Sequence, residues 1–180
     1  MAGSTVAENY AEALFELGAK SGRLEEYGRL MTATAGALAS SPAAQAVLVS
    51  PKVTKALKSD LVGRAITAIG APREFVLYLM AVVKRGRQTR FTEIAAVYGD
   101  LVDQKLGRVR ATVTLARKSD PALEQAIVAS LARTVGKEVL ATFSVDPEIL
   151  GGAVVRVGDK IYDGSIRRKL VRLKRQLLAK

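Results

Sequence analysis

The hydrophobic period of this chain changes once, at Gly107, and that change decides which folds are open to it. Before Gly107, apolar residues recur every three or four positions, the spacing of one helix face. After it, Val109, Ala111, Val113 and Leu115 alternate with Arg108, Arg110, Thr112 and Thr114, the spacing of a half-buried strand. One layer type cannot absorb both patterns. A chain of 180 residues is therefore expected to divide into a helical part and a mixed part, with a boundary at 105/106.

Residues 1–105 read as six helices joined by short loops, a compact bundle. Val6, Tyr10, Ala13, Leu14 and Leu17 line one face of the first, with Glu8, Glu12 and Glu16 elsewhere on it. Leu24, Tyr27, Met31 and Leu38 mark the second. Ser41-Pro42 and Ser50-Pro51 each have the form of an N-cap followed by a proline in the first helical position, and predict two more starts. Val53, Leu57 and Leu61 are the expected apolar face of the longer of these. Pro72 opens a fifth helix through Phe75, Val76, Leu79, Met80 and Val83. The last carries Phe91, Ile94, Tyr98 and Leu101 after the basic break Lys84-Arg85-Gly86-Arg87.

Residues 106–180 read as a smaller α+β unit. Asp120-Pro121 caps a helix with Leu123, Ile127 and Leu131, and Val139, Ala141, Phe143 and Val145 alternate as a second strand. Gly158-Asp159 between Val157 and Lys160 has the form of a two-residue hairpin loop, where glycine accepts positive φ. Ser165 then caps a helix with Ile166, Leu170, Leu173 and Leu177 at helical spacing.

Charge follows the same division. Residues 1–104 hold 12 basic and 10 acidic side chains, whereas residues 105–180 hold 16 and 7, so the second part carries +9 of the net charge of +11. Such a surface points to an acidic partner. The absence of histidine and cysteine excludes disulfides, Ser-His and Cys-His pairs and zinc sites built on those ligands. No metal or cofactor is expected, and no catalytic residue. The longest apolar run, Phe75 to Val83, is nine residues, against about 18–20 for a bilayer span. Glutamates in the first twenty residues argue against a secretory signal, so a soluble, cytoplasmic chain is expected.

Two motif readings compete for the basic and glycine-rich segments. The glycines at 151, 152, 158 and 164 match no phosphate-binding spacing, and Gly136-Lys137 is followed by Glu138 rather than a hydroxyl residue. They read as turn and strand glycines. Arg167, Arg168, Lys169, Arg172, Lys174 and Arg175 supply enough cations for phosphate contacts, which makes nucleic-acid binding the alternative function. Only Tyr162 is near them for stacking, and no groove-reading motif is present.

Taken together, Tyr10-Ala11-Glu12-Ala13-Leu14, Lys84-Arg85-Gly86-Arg87, and Gly151-Gly152 through Gly158-Asp159 to Ile161-Tyr162-Asp163-Gly164-Ser165-Ile166-Arg167 resemble the delta subunits of bacterial F-type ATP synthases and the related oligomycin-sensitivity-conferring proteins. The likeness runs nearly end to end. Arg85 stands where that family usually has asparagine, and Arg168-Lys169 where Gly-Arg is common.

The resemblance implies a non-catalytic stator subunit, one copy in a hetero-oligomer, which ties the catalytic head to the peripheral stalk during ATP synthesis coupled to hydrogen-ion transport. It implies a peripheral position on the cytoplasmic face of the plasma membrane, with no insertion into the bilayer and no nucleic-acid partner. By position, the alpha subunit's N-terminal helix would meet Tyr10, Ala13, Leu14, Leu17, Phe75, Leu79 and Val83. The b-type stalk subunits would meet the region of Arg156, Gly158, Asp159, Asp163, Gly164, Ser165, Arg167, Arg172 and Arg175. A charge at Leu14 is then expected to detach the head while the bundle stays folded.

Overall fold

A computed structural model describes residues 4–158 and 160–178. The chain is mostly helical, with a small sheet in its second part, and forms two compact units, Met1–Val102 and Asp103–Lys180. The division falls in the last turn of a helix.

The first unit is built from α1 (Ser4–Ser21), α2 (Leu24–Ala39), α3 (Pro42–Val49), α4 (Lys55–Ala68), α5 (Arg73–Lys84) and α6 (Phe91–Lys105), with a 3₁₀ turn at Gln88–Arg90 leading into α6. Ser41 caps α3 as its sequence predicts, its hydroxyl accepting from the Ala44 N–H at 3.3 Å. Ser50-Pro51 behaves differently. Ser50 closes α3, and its hydroxyl accepts from the Lys52 N–H at 3.2 Å, so Pro51 sits in a turn, for which its fixed φ is equally suited. Thr54 is the residue that caps α4, accepting from the Leu57 N–H at 3.3 Å.

The face of α4 also differs from the expected one. Leu57 and Leu61 are exposed, and Lys58, Ser59, Val62, Gly63 and Ile66 are buried. The cause lies in the neighbouring helix. The Ser59 hydroxyl donates to the Met80 carbonyl at 3.2 Å, and a Cβ on Gly63 would stand 2.8 Å from the Met80 sulfur. Small residues let α4 and α5 approach closely, which turns the leucines outward.

The core of this unit is deep. Tyr27, Tyr98, Phe75, Phe91, Leu14, Met31, Leu79, Ile94, Val82 and Val83 are wholly enclosed. Tyr27 and Phe75 meet at 5.5 Å between ring centroids. Two tyrosines cross-brace the helices through backbone oxygens: Tyr78 donates to the Tyr10 carbonyl at 2.8 Å, and Tyr98 to the Leu24 carbonyl at 2.9 Å. Burial pushes both phenols well above the usual tyrosine range, with nearby tyrosines adding to the effect.

The second unit contains β1 (Arg108–Leu115), α7 (Pro121–Val135), β2 (Glu138–Val145), a 3₁₀ turn at Pro147–Ile149, β3 (Ala153–Val157), β4 (Lys160–Asp163) and α8 (Ile166–Leu178). The sheet order is β2-β1-β3-β4. β1 and β2 are parallel, with Ala111 opposite Ala141, while β3 runs antiparallel to both β1 and β4. Asp120 caps α7, its carboxylate accepting from the Leu123 N–H at 2.7 Å. Val113, Leu115 and Val155 form a small core, flanked by Ile127, Leu131, Ala141 and Phe143. No residue of α7 is buried. The described side chains of α8, residues 166–176, are all exposed; that of Leu177 lies outside those described. Among the described residues, no helix is long and apolar enough to cross a membrane.

Candidate functional site

Two surfaces emerge, one in each unit. In the first, Leu14, Phe75, Leu79 and Val83 are 0% exposed and cannot offer side-chain surface to a partner. This corrects the expectation drawn from their position: they belong to the bundle's own core, and a charge at Leu14 is an unfolding change rather than a detaching one. Tyr10 and Leu17 are half-buried, and Ala13 is exposed. Leu77, 54% exposed on α5, was not singled out by its sequence pattern. The available signal was that residues 75–83 are apolar all round, so one side of that helix has to face outward in so small a bundle. Tyr78 joins this part of α5 to α1 through the Tyr10 carbonyl. On α1 and α5, Tyr10, Ala13, Leu17 and Leu77 thus keep apolar surface toward solvent.

In the second unit, the glycine-rich segment is a junction under the start of α8. Gly152 has φ +79°, and a Cβ there would lie 2.5 Å from the Gly164 carbonyl oxygen, so only glycine fits. The Gly164 N–H donates to the Ala153 carbonyl, and the Ile166 N–H to the Gly151 carbonyl, each at 2.9 Å. Ser165, buried here, caps α8: its hydroxyl accepts from the Arg168 N–H at 3.2 Å. The Asp163 carboxylate accepts from the Ser165 N–H at 3.0 Å. Hydrogen bonds from the Ser165 hydroxyl and backbone, with a smaller contribution from Arg168, hold the Asp163 carboxyl below the usual carboxylate range.

The junction gathers Asp163, Gly164, Ser165 and Arg167, the last paired with Glu148 at 3.2 Å. Arg156 and Gly158 stand at the other end of the β3–β4 hairpin, where Arg156 donates to the Gly158 carbonyl at 3.3 Å and Gly158 takes φ +56°. Asp159 lies outside the described residues. Arg172 and Arg175 are further along α8, exposed, and border a shallow depression with Arg168 and Val171. The sequence-predicted set is thus spread over a hairpin tip, a helix junction and a helix face. Ile166, Leu170 and Leu173, the apolar row that the spacing predicts for α8, face outward together with Val171 and run beside these cations, although the sequence placed none of them in the stalk-binding set.

Among the described residues, no group of three or more acidic, histidine or cysteine side chains is placed to hold a metal ion. The arrangement offers apolar helix faces and exposed cations, the chemistry of protein–protein attachment.

Comparison with known proteins agrees. The profile of the family described as ATP synthase delta (OSCP) subunit matches residues 6–177. ATP synthase subunit delta of Gemmatimonas aurantiaca is 39% identical over 175 residues, covering 97% of this chain and 94% of that protein. The delta subunit of Desulforamulus reducens is 35% identical, with 97% and 96% covered. A chain in the cryo-EM structure of the Toxoplasma gondii mitochondrial ATP synthase hexamer shares the fold, with a TM-score of 0.69 at 22% identity over 97% of this chain and 98% of that one. The chain belongs to the ATP synthase delta (OSCP) subunit family, whose members are structural rather than catalytic subunits.

Proposed function

We propose that this chain is the stator link of an F-type ATP synthase. One copy holds the catalytic head to the b-type peripheral stalk at the cytoplasmic face of the membrane, so that rotation driven by ion flow turns the shaft and not the head. The first unit receives the amphipathic N-terminal helix of an alpha subunit on Tyr10, Ala13, Leu17 and Leu77. The second unit grips the stalk through α8 and the junction at Asp163–Arg167. The observation that carries this reading is α8 itself, a helix whose apolar row and cations both face outward. An apolar row left in water is a standing cost that a partner removes.

A stator has to hold under torque and at physiological salt. Burial of apolar surface is suited to that, because salt screens exposed charges but not the hydrophobic contact. Cations flanking the row then steer and orient the stalk rather than supply most of the affinity.

The test is reconstitution. ATP synthase stripped of its delta subunit and placed in vesicles is expected to regain ATP-driven proton pumping when this chain is added. Leu170→Asp is expected to abolish that recovery without changing the helical content of the free chain. Recovery undiminished by Leu170→Asp would overturn the assignment of α8. Failure of the unaltered chain to associate with the complex would overturn the stator reading.

A further inference from the structure

Leu150 is the one non-glycine residue with positive φ among the described residues, at +63°. A branched side chain in that conformation strains the backbone, and surrounding contacts have to hold it there. They do so on both sides. The Leu150 N–H donates to the Pro147 carbonyl at 3.1 Å, Ile149 beside it is buried, and Gly151 is tied to the start of α8 by the Ile166 N–H. The result of this restraint is a leucine side chain held 64% exposed.

That side chain forms one lip of a groove of about 610 Å³ between the end of β1, the start of α7 and the loop before β3. Leu115, Leu123 and Ile127 line it, Leu123 being 49% exposed, and Arg117 and Lys118 stand at its rim. The neighbouring carboxylates are already engaged. Asp120 caps α7, and Glu124 accepts from the Ser119 hydroxyl at 2.6 Å. Neither Arg117 nor Lys118 has an ion-pair partner among the described residues.

We propose that this groove is a second docking site for the peripheral stalk. It takes an amphipathic polypeptide segment that places aliphatic side chains between Leu123 and Leu150 and carboxylates against Arg117 and Lys118. The inference rests on the stalk reading above and adds to it a site that neither the hairpin nor α8 supplies. Charge complementarity selects the occupant: the rim is cationic, and the unit that bears it holds most of the chain's excess positive charge. A second copy of this chain, at net +11, would be repelled from the same rim. A free inorganic anion would leave the leucines uncovered. The strained, doubly tied loop fixes the lip before the partner arrives, so little ordering is left to offset on binding.

The full chain is titrated with a soluble fragment of a b-type stalk subunit containing its C-terminal part, and the dissociation constant is followed as a function of salt. Leu123→Glu keeps α7 intact, because a carboxylate is favoured in the first turn of a helix, while it removes an apolar wall and repels an acidic partner. It is expected to weaken binding about tenfold, with an unchanged circular dichroism spectrum. Arg117→Glu with Lys118→Glu is expected to weaken binding by a similar factor and to flatten its salt dependence. Full-strength binding by both variants, with loss on Arg172→Glu and Arg175→Glu alone, would overturn the groove and leave the stalk reading standing. No binding by the unaltered chain would overturn the stalk reading and the groove with it. Self-association of the free chain that Leu123→Glu abolishes would overturn the proposed occupant in favour of a second copy.

Discussion

The two units solve the problem of burial in opposite ways. The helical unit packs nineteen buried apolar residues into one cluster, whereas the buried cluster of the mixed unit has three. The first unit tucks five aromatic rings inside, those of Tyr27, Phe75, Tyr78, Phe91 and Tyr98, and satisfies Tyr78 and Tyr98 on helix carbonyls. The second leaves α7 with no buried residue and every described side chain of α8 exposed. A unit with a deep core is stable alone and can lend a few surplus apolar residues to a partner. A unit with a shallow core has its largest apolar surfaces still uncovered, and gains stability from whatever covers them.

The largest test of that contrast is Leu14→Asp, which puts an unpaired charge in the centre of the helical unit. A loss of about 4 kcal/mol or more is expected, read as lost helical content and a lowered melting temperature. A variant that melts like the unaltered chain would break the comparison. In the mixed unit, Gly152→Ala meets the Gly164 carbonyl and an unfavourable φ together. A cost of about 2 kcal/mol is expected, confined to faster amide exchange at the start of α8 and in β3. Spread of that effect into the helical unit would show that the two do not behave independently.

pH sharpens the comparison, because the titrating groups have opposite signs. The folded helical unit holds the Tyr78 and Tyr98 protons above the ordinary pKa of about 10. Their contribution is complete below that pH and is lost as pH rises beyond it, so denaturant midpoints should fall on the alkaline side. Asp163 has a lowered pKa in the folded mixed unit. Its contribution is present above the ordinary carboxylate value of about 3.9 and is lost as pH falls through the folded value. Tyr78→Phe is expected to cost about 1 kcal/mol through the lost bond to Tyr10. The smallest effect belongs to Leu77→Asp, within about 0.5 kcal/mol of the unaltered chain in stability. Calorimetry with a peptide of an alpha-subunit N-terminus should nevertheless show its affinity for that peptide reduced; unchanged affinity would remove Leu77 from the proposed surface.

Much of this architecture is written in local patterns. The alternation from Val109 to Leu115 reads directly as β1, Asp120-Pro121 as the start of α7, and Ser165 as the cap of α8, because each depends on neighbours a few residues away. What was not legible depends on distant ones. Leu57 and Leu61 look like a buried face until Gly63 meets Met80 and rotates α4. Leu14, Leu79 and Leu77 are all apolar residues on amphipathic or wholly apolar helices, and only packing separates core from surface. The junction shows the same limit. Four glycines mark a tight turn region, but the contact of Gly152 with Gly164, and the outward leucine beside it, arises from the meeting of two loops.

The strand order β2-β1-β3-β4 has a consequence for how the protein is made. β1 lies inside the sheet, between β2 and β3, yet it is the first strand to leave the ribosome, and both its neighbours are encoded later. Ala111 pairs with Ala141 on one side and Val157 on the other. Until the second of these has been synthesised, β1 has an open edge and its inward residue Val113 lacks its full cover. The helical unit is encoded ahead of β1, so its chain is complete by then and can fold first. A nascent chain that has emerged only as far as Val145 would carry a finished bundle followed by a β1–β2 pair with one unpaired side, an open edge exposed to aggregation and to holding chaperones.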